Sequence, residues 1–88
     1  MKLIIAIISD HDNDPVTQAL IVAGFRVTRV ASTGGFLRRG SSTLMLGVPD
    51  DKVDAAIDLI RQNVSPAQEA GAKRATLFVL NVEHFTQI

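Results

Sequence analysis

The stretch Leu3-Ile4-Ile5-Ala6-Ile7-Ile8 is an unbroken apolar run, mostly β-branched. It is too short for a helix and reads as a strand. Strand side chains alternate, so Leu3, Ile5 and Ile7 face one way and Ile4, Ala6 and Ile8 the other. Both sets are apolar, which marks a strand covered on both faces and places it centrally in a sheet. Near the other end of the chain, Leu77-Phe78-Val79-Leu80 repeats the pattern within a strand predicted over 74–82.

Outward from the first strand, Ser9-Asp10-His11-Asp12-Asn13-Asp14 reads as a polar loop. Asp14-Pro15 is a helix start, an oxygen to cap the first turn followed by a residue whose missing N–H costs nothing there. Val16, Ala19, Leu20 and Ala23 then recur at helical spacing, and Gly24 supplies the left-handed stop. A strand over 25–31 follows, with Phe25 and Val27 on one face and Arg26 and Thr28 on the other. Thr33-Gly34-Gly35-Phe36-Leu37-Arg38-Arg39-Gly40-Ser41 is a loop, and 43–48 is a third strand. Pro49-Asp50-Asp51 opens a second helix with Asp50 as its cap, and Val53, Ala56, Ile57 and Ile60 form its apolar face. A polar connection over 63–73 leads to the last strand and a short tail over 83–88.

The order is βαββαβ. Right-handed crossovers put both helices on one face of a four-stranded antiparallel sheet, the ferredoxin-like arrangement of the α+β class. Two helices cover one face only. The other is an apolar patch too large for a comfortable monomer, and a further copy of the chain is its simplest cover. The alternative cover is the six-residue tail.

The 88 residues suffice for one domain spanning 1–88. At this size folding buries only about 60–65% of the unfolded chain's surface, so the core alone gives a thin margin. The absence of cysteine excludes disulfides, thiolate metal sites and thiol catalysis, and fits a reducing compartment. Zero formal net charge argues against a nucleic-acid polymer as partner. No apolar run reaches the ~18–20 residues of a membrane span, and the first strand lacks the flanks of a signal peptide. The expected location is the cytoplasm, with no membrane partner.

Three places carry candidate chemistry. Asp10-His11-Asp12-Asn13-Asp14 resembles the start of a calcium loop, but the required glycine and glutamate are replaced by Pro15 and Ile21. It reads as a solvated loop ending in a helix cap, with no metal. The glycine loop is longer than a hairpin needs. Its glycines let backbone N–H groups approach an anion, Arg38 and Arg39 suit phosphate, and Phe36 suits a base or ribose. The competing reading is a plain hairpin whose Phe36 and Leu37 touch another subunit or a protein partner. It is neither a Walker loop nor a dinucleotide fingerprint. Arg26 and Thr28, just before it, put a guanidinium and a hydroxyl on one side of the second strand. His84 has no nucleophile beside it in the sequence, and no serine–histidine–acid constellation is visible, so the chain does not read as an enzyme.

Met1-Lys2-Leu3-Ile4, Phe25-Arg26-Val27-Thr28, Thr33-Gly34-Gly35-Phe36-Leu37 and Met45-x-Gly47-Val48 together resemble the cyclic-di-AMP receptor family of PII-like signal proteins. Ala75-Thr76-x-Phe78-Val79-Leu80 and Phe85-Thr86-Gln87 are similar to that family's last strand and tail. The resemblance implies a bacterial, non-enzymatic sensor: a homotrimer that binds cyclic-di-AMP at subunit clefts, needs no cofactor and passes its state to a protein partner through loops. By matching position it implies ligand contacts at Arg26, Thr28, Gly35, Phe36, Leu37, Gly47, Phe78 and Gln87, with Ser41 beside them. The chain carries Gly24 and Ser41 where the family carries asparagine, and its 63–73 connection is shorter than the family's.

Overall fold

A computed structural model of the chain describes residues 1–31, 40–66 and 74–88. The first strand, β1 (Lys2–Ser9), realises its alternation residue by residue. Ile4 and Ala6 are fully buried and Ile8 nearly so, whereas Leu3, Ile5 and Ile7 are half-buried. After β1 come a 3-10 turn (Asp10–Asp12), α1 (Asn13–Val22), β2 (Thr28–Ala31), β3 (Ser41–Val48), a second 3-10 turn (Asp50–Lys52), α2 (Val53–Asn63) and β4 (Ala75–Asn81). The strands form one sheet in the order β2-β3-β1-β4, every pair antiparallel. This is the expected α+β, ferredoxin-like βαββαβ arrangement, with β1 between two partners.

The core lies between the sheet and the helices. Ile4, Ala6 and Ile8 of β1 and Leu44, Leu46 and Val48 of β3 meet Val16 and Leu20 of α1, Ala56 and Ile60 of α2, and Val64. Each large side chain buried here contributes roughly 1.5–3 kcal/mol before conformational entropy is subtracted.

Helix boundaries depart from expectation at their starts. Neither Asp14 nor Asp50 caps a helix. α1 begins at Asn13 and α2 at Val53, and neither N-cap makes a side-chain bond. Each helix is instead entered through a 3-10 turn, whose carbonyls take the otherwise orphaned amides. The Asn13 N–H donates to the Asp10 carbonyl and the Lys52 N–H to that of Pro49. The end of α1 is as expected. Gly24 has φ 95°. Its N–H donates to the Ile21 carbonyl and that of Phe25 to the Leu20 carbonyl, each at 2.9 Å, the paired bonds of a Schellman ending.

β2 begins at Thr28, three residues later than the alternation suggests. Phe25 and Val27 still pack against the core, and Arg26 and Thr28 are exposed. The expected faces are thus kept although the ladder is not yet formed. β3 begins two residues earlier than expected, because Ser41 and Ser42 pair with Ser9 and Ile8.

Candidate functional site

The acidic turn after β1 is a structural joint and not a solvated loop. Asp12 is only 3% exposed. Its carboxylate accepts the Ser65 N–H at 3.1 Å and the Ser65 hydroxyl at 2.5 Å, tying the start of α1 to the segment just after α2. Asp10 accepts the Ser42 hydroxyl at 2.5 Å, and its own N–H donates to the Gly40 carbonyl. Both carboxylates are therefore engaged in holding the fold. Among the described residues no three histidine or acidic side chains gather as they do around a metal ion.

The open face of the sheet carries the remaining candidates. Registered pairs lay them out in rows. One row runs Thr28 (β2), Met45 (β3), Ile5 (β1), Phe78 (β4). The next runs Gly47 (β3), Leu3 (β1), Leu80 (β4). Carried one step past the end of β2, the register sets Arg26 level with Gly47. Thr28 and Gly47 thus lie in adjacent rows at one corner of the open face, with Arg26 just ahead of β2 beside them. Arg26 is exposed and makes no ion pair among the described residues.

Phe78 does not join that corner. It is three strands from Thr28 and two from the strand of Gly47, about 14 and about 10 Å at the usual strand spacing, on the β4 edge, and is half exposed. Ser41 is at the other end of β3, about 20 Å from Gly47 along the strand. It is buried, with 9% exposure. Gln87 is exposed in the tail, which leaves the sheet at the Gly47 end, where the Val82 N–H donates to the Met1 carbonyl at 3.1 Å. Gly35, Phe36 and Leu37 lie outside the described residues, as do Arg38 and Arg39 and most of the 63–73 connection. Among the described residues, one chain gathers only part of the candidate set. His84 is exposed, and its Nε2 is 3.5 Å from the Thr86 hydroxyl oxygen.

The model of the cyclic-di-AMP receptor family matches residues 1–72. The chain belongs to the cyclic-di-AMP receptor family. A crystal structure of a functionally unknown protein from Pediococcus pentosaceus ATCC 25745 is also similar, at 28% identity and a TM-score of 0.78. The likeness covers 99% of this chain and 96% of that one, so the fold is common to both over nearly their whole length. Membership makes this a chain of a nucleotide-binding receptor family, and no helix among the described residues is long and apolar enough to cross a membrane. The family match takes in the Arg26, Thr28 and Gly47 corner; β4 and the tail, with Phe78 and Gln87, follow it.

Two features of this corner are not legible as site features in the sequence. Met1 lies across Gly47, its Cε methyl standing too close to the position of a Cβ there for both to fit. The Met1 amino group lies 2.8 Å from Asp50 Oδ1. That hydrogen bond, together with the charge of the amino group and of Lys2, holds the exposed Asp50 carboxyl below the ordinary carboxylate range. A run such as Met1-Lys2-Leu3 gives no hint of either, because both depend on the β1–β3 register.

Proposed function

We propose that residues 1–88 form a single PII-like domain that assembles as a homotrimer and binds a nucleotide, cyclic-di-AMP foremost, in clefts between subunits. Membership of the receptor family carries this reading. Two observations support its architecture. The open face is apolar, with Leu3, Ile5, Met45, Phe78 and Leu80 on it, and the helices cover only the other side. The candidate residues are also divided between opposite edges of that face, which suits a cleft furnished by two copies.

In this reading Arg26 and the Thr28 hydroxyl hold a phosphate. The Gly35 backbone admits the anion closely, Phe36 and Leu37 lie against a base, and Gly47 leaves room for a ring. Ser41 stands at the far end of the loop, and Phe78 and Gln87 come from the neighbouring copy. Nothing in this set needs a general base, and the role is that of a cytoplasmic sensor that relays its state to a protein partner through its loops.

Calorimetry of the purified protein against cyclic-di-AMP, cyclic-di-GMP, ATP and AMP tests the proposal. Heat is expected with cyclic-di-AMP, at one site per chain, and no heat with any of the four rejects the nucleotide reading. Arg26→Ala is expected to weaken binding by about tenfold or more, the loss of a charge-assisted hydrogen bond worth roughly 1.5–3 kcal/mol. An Arg26→Ala protein that binds as tightly as the parent removes Arg26 from the site.

A further inference from the structure

The backbone shape of Gly47 does not demand glycine, and among the described residues the only atoms within 4 Å of a Cβ there belong to the end of the Met1 side chain. The φ of Gly47 is not positive, unlike those of Gly24 and Gly40, so a side chain is compatible with the backbone itself. What stands in the way is Met1. The Met1 Cε methyl stands too close to the position of a Cβ on residue 47 for both to fit, and its Sδ lies 3.9 Å from that position. The niche over Gly47 is therefore filled by the chain's own methionine.

The backbone of Met1 is tied at both its carbonyl and its amino group, and the residue is partly exposed. The Met1 carbonyl accepts the Val82 N–H, and its amino group is tied to Asp50. The residue is 46% exposed. A methionine side chain has three rotatable bonds and soft, adaptable packing, so it can leave a shallow niche without disturbing the strand. Arg26 precedes β2, and continuing the Thr28–Met45 pairing by two residues would set it level with Gly47. A nucleotide whose phosphate rests on Arg26 would bring its sugar or base over Gly47, into the volume that the Met1 methyl occupies.

We propose that the Met1 side chain is a built-in competitor for the nucleotide niche over Gly47, and that it swings out when ligand binds. The inference rests on the receptor reading above and adds to it a residue that sets affinity. A site whose open form is only fractionally populated has its apparent affinity reduced by that fraction. Removing the competitor raises affinity correspondingly.

The test replaces Met1 by glycine, Met1→Gly, made by cleaving a leader so that the backbone ties to Val82 and Asp50 are kept. Calorimetry with cyclic-di-AMP is expected to give about three- to tenfold tighter binding than the parent. The chain has two methionines, so methyl-labelled protein gives one resonance for Met1 and one for Met45. The Met1 resonance is expected to move to a solvent-like position on saturation with cyclic-di-AMP, and also in ligand-free Gly47→Ala, whose Cβ evicts the methyl. Equal or weaker binding by Met1→Gly, or a Met1 methyl unmoved at saturation, overturns the inference and leaves the receptor reading standing. No heat from either protein overturns the receptor reading, and this inference with it. A Met1 methyl unmoved in Gly47→Ala overturns the occupancy of the niche without reference to any ligand.

Discussion

Asp12 has 3% exposure, and its only described partners are the N–H and hydroxyl of Ser65. A buried carboxylate is tolerable only when such donors replace water. Asp12→Ala removes the acceptor and strands the Ser65 amide, so a loss of about 1–3 kcal/mol is expected. Urea denaturation measures it, and a double-mutant cycle with Ser65→Ala isolates the pair. A purely additive cycle would show that the bond contributes nothing of its own. Local sequence hides this role, because an acidic cluster between a strand and a helix has the composition of any polar loop. The partner stands 53 residues away, and only the packing of α1 beside α2 brings it near. Gly24 is the opposite case. A glycine just past a helical apolar stripe announces its left-handed conformation locally, and φ 95° realises it. Gly24→Ala is expected to cost about 1 kcal/mol in thermal or urea unfolding, since a Cβ is strained at that φ. Gly24→Asn is expected to cost less, because asparagine adopts this region more readily. In the receptor reading it also restores an amide where the family carries one and tightens cyclic-di-AMP binding in calorimetry. An asparagine variant as unstable as the alanine one would mean that space and not φ governs the position, although nothing lies within 4 Å of a Cβ there.

At the scale of elements, the central strand and both helices were legible because each has its own period. Alternation marks β1, and spacing of three and four marks Val16–Leu20 and Val53–Ile60. The edge strand β2 was legible in its faces and not in its limits. Phe25 and Val27 face the core as the alternation requires, yet pairing with β3 begins only at Thr28 and is interrupted by a register shift between Arg29 and Ala31. Sequence pattern reports which side is buried; it does not report where a partner's backbone becomes available. The helix starts depart from the capping signal for a related reason. Aspartate before a helix is a capping signal, but here 3-10 carbonyls occupy the amides first, and Asp50 turns instead to the Met1 amino group. That tie joins the start of β1 to the turn before α2. Because the folded-state pKa of Asp50 is lowered, its contribution is present above the ordinary carboxylate value, about 4, and is lost as pH falls through the folded value. The expected result is an Asp50 carboxyl carbon that titrates below the ordinary carboxylate value by NMR. An Asp50 titration at the ordinary carboxylate value, about 4, would remove the tie from solution. Acid unfolding of Asp50→Asn is expected to lose this one component and otherwise follow the parent, since Asp50 is exposed.

Across the whole molecule, the two faces of the sheet differ in what finishes them. The helix side is closed by Val16, Leu20, Ala56 and Ile60. The open side leaves Leu3, Ile5 and Ile7 only half-buried, with Phe78 51% and Leu80 46% exposed beside them. The tail does not finish it. Phe85 and Ile88 are themselves exposed, at 59% and 122%. The double-sided apolar pattern of β1 carried this asymmetry from the start, whereas the division of the candidate residues between two edges emerges only from the strand order β2-β3-β1-β4. If copies of the chain cover the open face, a charge placed there acts on assembly before it acts on the fold. Phe78→Asp is the sharpest such change. Phe78 belongs to an edge strand and lies outside the buried core, so the single-chain fold loses little when it is replaced. Desolvating a carboxylate without a partner opposes association strongly. Sedimentation is expected to give a trimer for the parent and a monomer for Phe78→Asp, with the circular dichroism spectrum kept and cyclic-di-AMP binding lost. Val22→Asp, on the outer surface of α1 where Val22 is 76% exposed, serves as the matched control and should leave both assembly and binding intact. A Phe78→Asp protein that remains trimeric would show that the open face is not the assembly surface. A monomeric one that still binds cyclic-di-AMP with undiminished affinity would place the whole site on one chain and reject the divided cleft.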